Sequence, residues 1–251
     1  MPHPIQVTLA ANAGVLLSHP AGNLLIDGLF QADHVPFSSL PAGTLQALLQ
    51  GHPPYDRIDY LLFTHVHPDH FSPEVVLAFL EHRRVRGVLL PPSRTPHTRL
   101  RQALADRGIP CLTAGSALPG DITLADGLRI RTLPTRHLDQ KFRDVPHVAL
   151  LVTLDGRDLL FTADADYTTE TFPDLPPLRA VFLNPLFFHA YTGGTFFRGD
   201  FPTDTICVYH VPFPGDDTYH VRAMLARDLA RHPLPGRTVQ ILDRPNQQVL
   251  L

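Results

Sequence analysis

Tryptophan is absent from this 251-residue chain, cysteine and methionine occur twice each, and lysine appears once, at Lys141. Two cysteines far apart, Cys111 and Cys207, each inside an apolar run, exclude a disulfide framework or a thiolate zinc site and read as buried thiols. No stretch approaches 18 consecutive apolar residues, and the opening MPHPIQVTLAANAG lacks a basic region followed by an apolar core. Both absences argue against a membrane partner or an export leader and predict a cytoplasmic protein. The 24 acidic and 21 basic side chains leave a formal charge of −3, with no consecutive basic block. The clustered cations that neutralise phosphates are missing, so nucleic acid is excluded as the expected partner. The scarcity of lysine reads as compositional bias, and the 26 prolines predict many sharply bounded loops.

What is present suits a large globular unit. An apolar content of 44% provides for a core, and the length fits one domain over residues 1–251. Short apolar runs at 5–10, 14–18 and 24–27 read as an antiparallel meander, and YLLFT at 60–64 as a buried strand. Ser72 and Pro73 supply an N-cap and a first-turn proline for a helix to about Arg84, with Val75, Val76, Phe79 and Leu80 inward. Further helices are predicted over 41–50, 98–107 and 219–231. Strands are predicted at 87–90, 128–133, 148–154, 158–162, 180–183 and 205–209, with 239–242 closing the fold. Asp155-Gly156 marks a hairpin turn. Residues 184–202 lack a period and read as a functional loop. Strands, then alternation, then strands and alternation again predict two sheets with helices outside them.

His65, His67, Asp69 and His70 place four metal-ligating side chains within six residues, where a strand ends and a helix begins. In extended chain, positions two apart point the same way, so His65 and His67 can reach one ion while Asp69 and His70, in the turn, address a second. The remaining ligands must come from the ends of other strands. His137 after RIRTLPTRH, Asp164 after RDLLFTAD and His210 after TICVYH meet that condition, with Asp166 the rival of Asp164. His147 and His189 are intermediate cases. The other histidines, His19 and His97 among them, read as solvated.

This ordered set, HVHPDH followed by His137, Asp164 and His210, resembles the metallo-β-lactamase superfamily, as does the strand LLIDG ending in Asp27. Within it the chain is most similar to the small stand-alone hydrolases related to ascorbate-6-phosphate lactonase. The resemblance implies an α/β, four-layer αβ/βα sandwich. It also implies that His65, His67 and His137 hold one metal, Asp69, His70 and His210 the other, and that Asp164 bridges them. Two departures stand out. Ala163 occupies the usual glycine position before the bridging aspartate, and TRHLD around His137 argues against a β-lactam substrate.

Two divalent ions, zinc first and manganese or iron(II) as alternatives, lower the pKa of a shared water toward about 7 and polarise the attacked carbonyl or phosphoryl oxygen. The expected function is hydrolysis of a small anionic ester, lactone or phosphoester, with Asp69 orienting the nucleophile. Arg136, Lys141, Arg143 and Arg198 are candidates to hold the anion. His189 and Tyr191 are candidates for proton donation or oxyanion binding. An iron-dependent redox enzyme of the persulfide dioxygenase type and a non-catalytic metal- or ligand-binding protein are the rivals. The sequence leaves a homo-oligomer open.

Overall fold

The structure, a computed structural model, describes residues 3–31, 37–115, 117–166, 172, 174–189 and 201–251. Strands β1 (Gln6–Leu9), β2 (Val15–Ser18) and β3 (Leu24–Ile26) form the antiparallel meander. Helix α1 (Ala42–Gln50) stops at Gly51, whose φ of 70° only glycine adopts without strain. Strand β4 (Tyr60–Leu62) joins β3 in parallel. Helix α2 (Pro73–His82) starts where the Ser72 hydroxyl accepts from the Val75 amide, and it buries Val75, Val76, Phe79 and Leu80 as its apolar spacing requires. Strand β5 (Gly87–Leu90), helix α3 (Thr98–Asp106) and strand β6 (Cys111–Thr113) continue the parallel part.

The second half opens with β7 (Gly120–Ala125), β8 (Leu128–Thr135), β9 (His147–Leu154) and β10 (Arg157–Phe161), each antiparallel to the next. Asp155 and Gly156 both have positive φ, 46° and 76°, as the two-residue hairpin demands. Strands β11 (Leu178–Leu183), β12 (Thr205–Val208) and β13 (Thr238–Ile241) then extend the sheet in parallel, with helix α4 (Val221–Arg231) between the last two. The final strand β14 (Gln248–Leu250) crosses back and pairs antiparallel with β1. The strand orders are β14-β1-β2-β3-β4-β5-β6 and β13-β12-β11-β10-β9-β8-β7.

Three strands depart from the sequence reading. β7 follows a polar–apolar alternation through Ile122 and Leu124, and Asp126-Gly127 is the same hairpin signal as Asp155-Gly156. β6 is a half-exposed three-residue strand. β14 is a mostly exposed edge strand, so the fold closes on it rather than on β13.

The architecture is the four-layer αβ/βα sandwich. One core lies between the sheets, where Val7, Leu17 and Leu62 meet Leu150, Phe161 and Phe182. A second packs the helical residues Leu48, Phe79 and Leu104 on the outer face of the first sheet, and a third packs Leu225 of α4 against Val181 and Val208 on the outer face of the second. His19, expected to be solvated, is buried at 4% exposure beside Arg157, and His97 is half-buried.

Candidate metal centre

Residues 65–70 follow β4, His137 follows β8, Asp164 follows β10 and His210 follows β12, so one end of both sheets presents the whole set. Backbone contacts fasten the segments together. The Leu138 amide donates to the Asp164 carbonyl at 2.8 Å, the Val148 amide to Thr64 at 3.2 Å, and the His210 amide to Asn12 at 2.8 Å. Two groups of donor atoms result, His65, His67, His137 and Asp164 in one and Asp69, His70, Asp164 and His210 in the other, each within 4.8 Å mutually. Asp164 is common to both. Its Oδ2 lies 3.7, 3.5 and 3.6 Å from Nε2 of His65, His70 and His137, and its Oδ1 lies 3.4 Å from Nε2 of His210. Asp166 enters neither group.

The hydrogen bonds around the rings decide where their lone pairs point. Asp27 accepts from the Thr64 amide at 2.9 Å and from its hydroxyl at 2.6 Å. With that one hydroxyl proton committed, Thr64 Oγ1 can only accept from His65 Nδ1, 3.0 Å away, which leaves the Nε2 lone pair of neutral His65 facing the cluster. Asp27 Oδ2 also accepts from His70 Nδ1 at 2.9 Å, so one buried carboxylate orients two rings. His147, buried beside them, bonds Thr135 Oγ1 through Nδ1 at 2.6 Å and accepts the Asp164 amide on Nε2 at 3.1 Å.

Charge follows the same logic. Burial, helped by the neighbouring rings, lowers His65 well below the usual histidine value, His67 to about 4 and His147 to about 3, so these rings are neutral. Burial pushes the same way on His70, but the charges of Asp164 and Asp69 outweigh it and raise that ring well above the usual value. Burial opposes the ionised forms of Asp164 and Asp69. The histidine charges nonetheless hold both below the usual carboxylate range, His210 and His70 acting on Asp164 and His70 with His210 on Asp69. His70 Nε2 and His210 Nε2 lie 3.0 Å apart, both facing the donor cluster. The Asn12 amide nitrogen lies 2.9 Å from His210 Nδ1 while its buried Oδ1 has no partner among the described residues; turning the amide over brings the oxygen to a protonated Nδ1 and leaves the Nε2 lone pair toward the cluster, and we assign it so.

The donor set fits a pair of metal ions. Nε2 of His65, His67 and His137 are buried and have no hydrogen-bond partner among the described residues, an arrangement that costs stability unless something else engages them. Mixed imidazole and carboxylate donors suit zinc, iron or manganese. His137 meets one further condition. Its Nδ1 lies 3.2 Å from the Asp139 amide, a contact that must open for Nε2 to present its lone pair. Three non-glycine residues here adopt left-handed backbone, Asp27, Ala163 and His210, with φ of 47°, 47° and 60°. The Tyr209 hydroxyl accepts the Ala163 amide and the Asn184 side chain donates to the Ala163 carbonyl, holding that residue where glycine is the easier choice.

A cleft of about 650 Å³ opens above the two groups. His189 does not line it. Its Nδ1 lies 3.1 Å from Asp228, a buried acid on α4, so the ring is drawn toward the helix rather than the donor cluster. Arg136 is exposed and also absent from the lining, whereas Lys141 is present in it. Tyr191 and Arg198 lie outside the described residues. Sequence reasoning missed Asn12 and left His147 undecided. Asn12 sits in a turn 198 positions from its partner, so no local pattern marks it.

Two facing sheets with a shared-carboxylate donor cluster at one edge define a metallo-β-lactamase-fold protein with a candidate binuclear metal site. The chain belongs to the family described as "Beta-lactamase superfamily domain", whose model matches residues 23–195. No curated protein matches it. Solved structures share the fold at low identity. The metallo-β-lactamase fold protein YhfI from Bacillus subtilis has a TM-score of 0.66 at 15% identity, covering 98% of this chain and 100% of that one. The isothiocyanate hydrolase from Delia radicum gut bacteria has 0.62 at 15%, covering 97% and 98%. CmlA, a diiron β-hydroxylase from Streptomyces venezuelae, has 0.64 at 16%; all of this chain is covered, and it spans 54% of the CmlA chain. No helix among the described residues is long and apolar enough to cross a membrane.

Proposed function

We propose that the chain is a metal-dependent hydrolase of esters or lactones, working with two divalent ions. His65, His67 and His137 would hold one ion and Asp69, His70 and His210 the other, with Asp164 available to both. One observation carries the reading: three orphaned imidazole nitrogens and two ionised carboxylates converge at the foot of an open cleft. When bound, the ions supply Lewis acidity and a nucleophilic hydroxide near neutral pH. The protein's own contributions are orientation and exclusion of water. Asp69 is held too acidic to store a proton, which suits it to binding and orienting. Phe142 lies edge-on to His67, with ring centres 4.5 Å apart, and Phe37 edge-on to His210 at 4.6 Å, so apolar rings shield both histidines. The lactone-cleaving branch named above supplies a substrate type to try first.

Metal analysis with a substrate panel tests this. Two ions per chain and turnover of an ester or lactone are expected; less than one ion per chain in metal-replete medium would overturn the proposal. The similarity of fold to a diiron β-hydroxylase favours one second reading, oxygen chemistry at iron. Oxygen uptake by iron-loaded protein, measured against ester cleavage, separates the two.

A further inference from the structure

The cleft wall is apolar. Phe37, Leu138, Phe142, Pro185, Leu186 and Tyr219 line it around the donor groups. Among the described residues its one cation is Lys141, and that charge is already matched, with Nζ 3.2 Å from Asp139 and 4.7 Å from the centre of the Phe142 ring. Phe142 and Tyr219, 36% and 68% exposed, are two of the four large hydrophobic side chains exposed among the described residues, and both stand on this cleft. Exposed apolar groups gathered at one opening mark a contact surface for an apolar ligand. That surface starts next to the candidate ligands, because Phe142 also touches His137 edge-on at 5.5 Å.

Resting on the hydrolase reading, we propose that the substrate carries an uncharged apolar group, an aryl or medium-length alkyl chain, which packs against Phe142, Leu186 and Tyr219 while its ester or lactone carbonyl meets the donor cluster. In the reaction the oxygen of water bonds to the carbonyl carbon and the carbon–oxygen bond to the alcohol breaks. One proton of the water goes to the departing alcohol and the other leaves with the acid. In this assignment an apolar seat, and neither Arg136 nor Lys141, receives the substrate's side group, since Lys141, the one cation of the described lining, is matched by Asp139; Arg198 lies outside the described residues.

Calorimetry of the zinc-loaded protein with straight-chain hydroxamates, from acetyl to octanoyl, tests the inference without turnover. Each buried methylene is expected to tighten binding about threefold, so the octanoyl compound binds more than about a hundredfold more tightly than the acetyl one. Phe142→Ala is expected to weaken the octanoyl compound at least tenfold while moving the acetyl compound less than threefold. A flat series, an equal loss for both compounds in Phe142→Ala, or tighter binding of the anionic succinyl monohydroxamate than of the butanoyl compound overturns the apolar assignment and leaves the hydrolase reading in place. Failure of the whole series, acetohydroxamate included, together with less than one bound zinc, overturns the metal-dependent reading itself.

Discussion

Asn12 grips His210 twice, its backbone carbonyl accepting the His210 amide at 2.8 Å and its side-chain amide lying 2.9 Å from Nδ1. A turn of the first sheet thereby fixes a ring carried by the second. Removing the side-chain half of this grip frees the ring to rotate, and such supporting bonds are worth about 10- to 100-fold in metal affinity. Asn12→Leu is expected to weaken the second ion by at least about tenfold and leave the first unchanged, whereas Asn12→Asp, which keeps an acceptor, retains both. Cobalt titration followed by absorption reads the two sites separately.

Asp164 and Asp166 have opposite expectations despite their spacing. Asp164→Ala removes the carboxylate common to both donor groups, and bound metal is expected to fall from two ions to one or fewer per chain. Asp166→Ala is expected to keep two. Metal analysis after gel filtration checks both variants.

Asp27 accepts three hydrogen bonds, from the Thr64 amide, the Thr64 hydroxyl and His70 Nδ1, at 1% side-chain exposure. Asp27→Ala leaves those donors unsatisfied in the interior. The expected loss is about 3 kcal/mol of unfolding free energy even without metal, measured by urea denaturation.

Acid should destabilise the metal-free protein. His65, His67 and His147 have folded values depressed below 6.5, so the unfolded chain binds more protons than the folded one as pH drops. Their stabilising effect is complete above about pH 6.5 and is lost as pH falls through the folded values, with His67 near 4 and His147 near 3. His70, raised, has the opposite sign: its contribution is complete below 6.5 and fades only as pH rises through its folded value. Urea midpoints of chelator-treated protein are expected to fall steadily from pH 6.5 to 4. In His147→Leu the slope over that window is expected to shrink by about one proton.

The larger part of the fold was legible because its elements are locally marked: the Ser72-Pro73 helix start, the Asp155-Gly156 turn, the run Tyr60–Leu62. β6 and β14 escaped because a three-residue strand at a sheet edge, half or fully exposed, carries no hydrophobic period. The candidate ligands were legible for a similar reason, since HVHPDH compresses four donors into one turn. What supports them was not. Asn12 acts through a contact made only after both sheets have packed, Thr135 and His147 through pairing of β8 with β9 that no local pattern marks, and Asp228 looks like an ordinary surface acid until its helix turns it inward onto His189. The substrate wall is scattered still more widely, from Phe37 to Tyr219.

The left-handed backbone at Asp27, Ala163 and His210 has a kinetic meaning. Each such residue costs about 1–2 kcal/mol, and all three flank or belong to the donor set. That strain is met when the chain folds, so the cage is already shaped when a cation arrives. Apart from the His137 Nδ1–Asp139 contact that has to open, capture then needs little further ordering, and escape requires distorting a framework pinned from both sheets. Slow loss of bound ions through repeated dilution is the expected consequence, checked by timed dialysis with metal analysis.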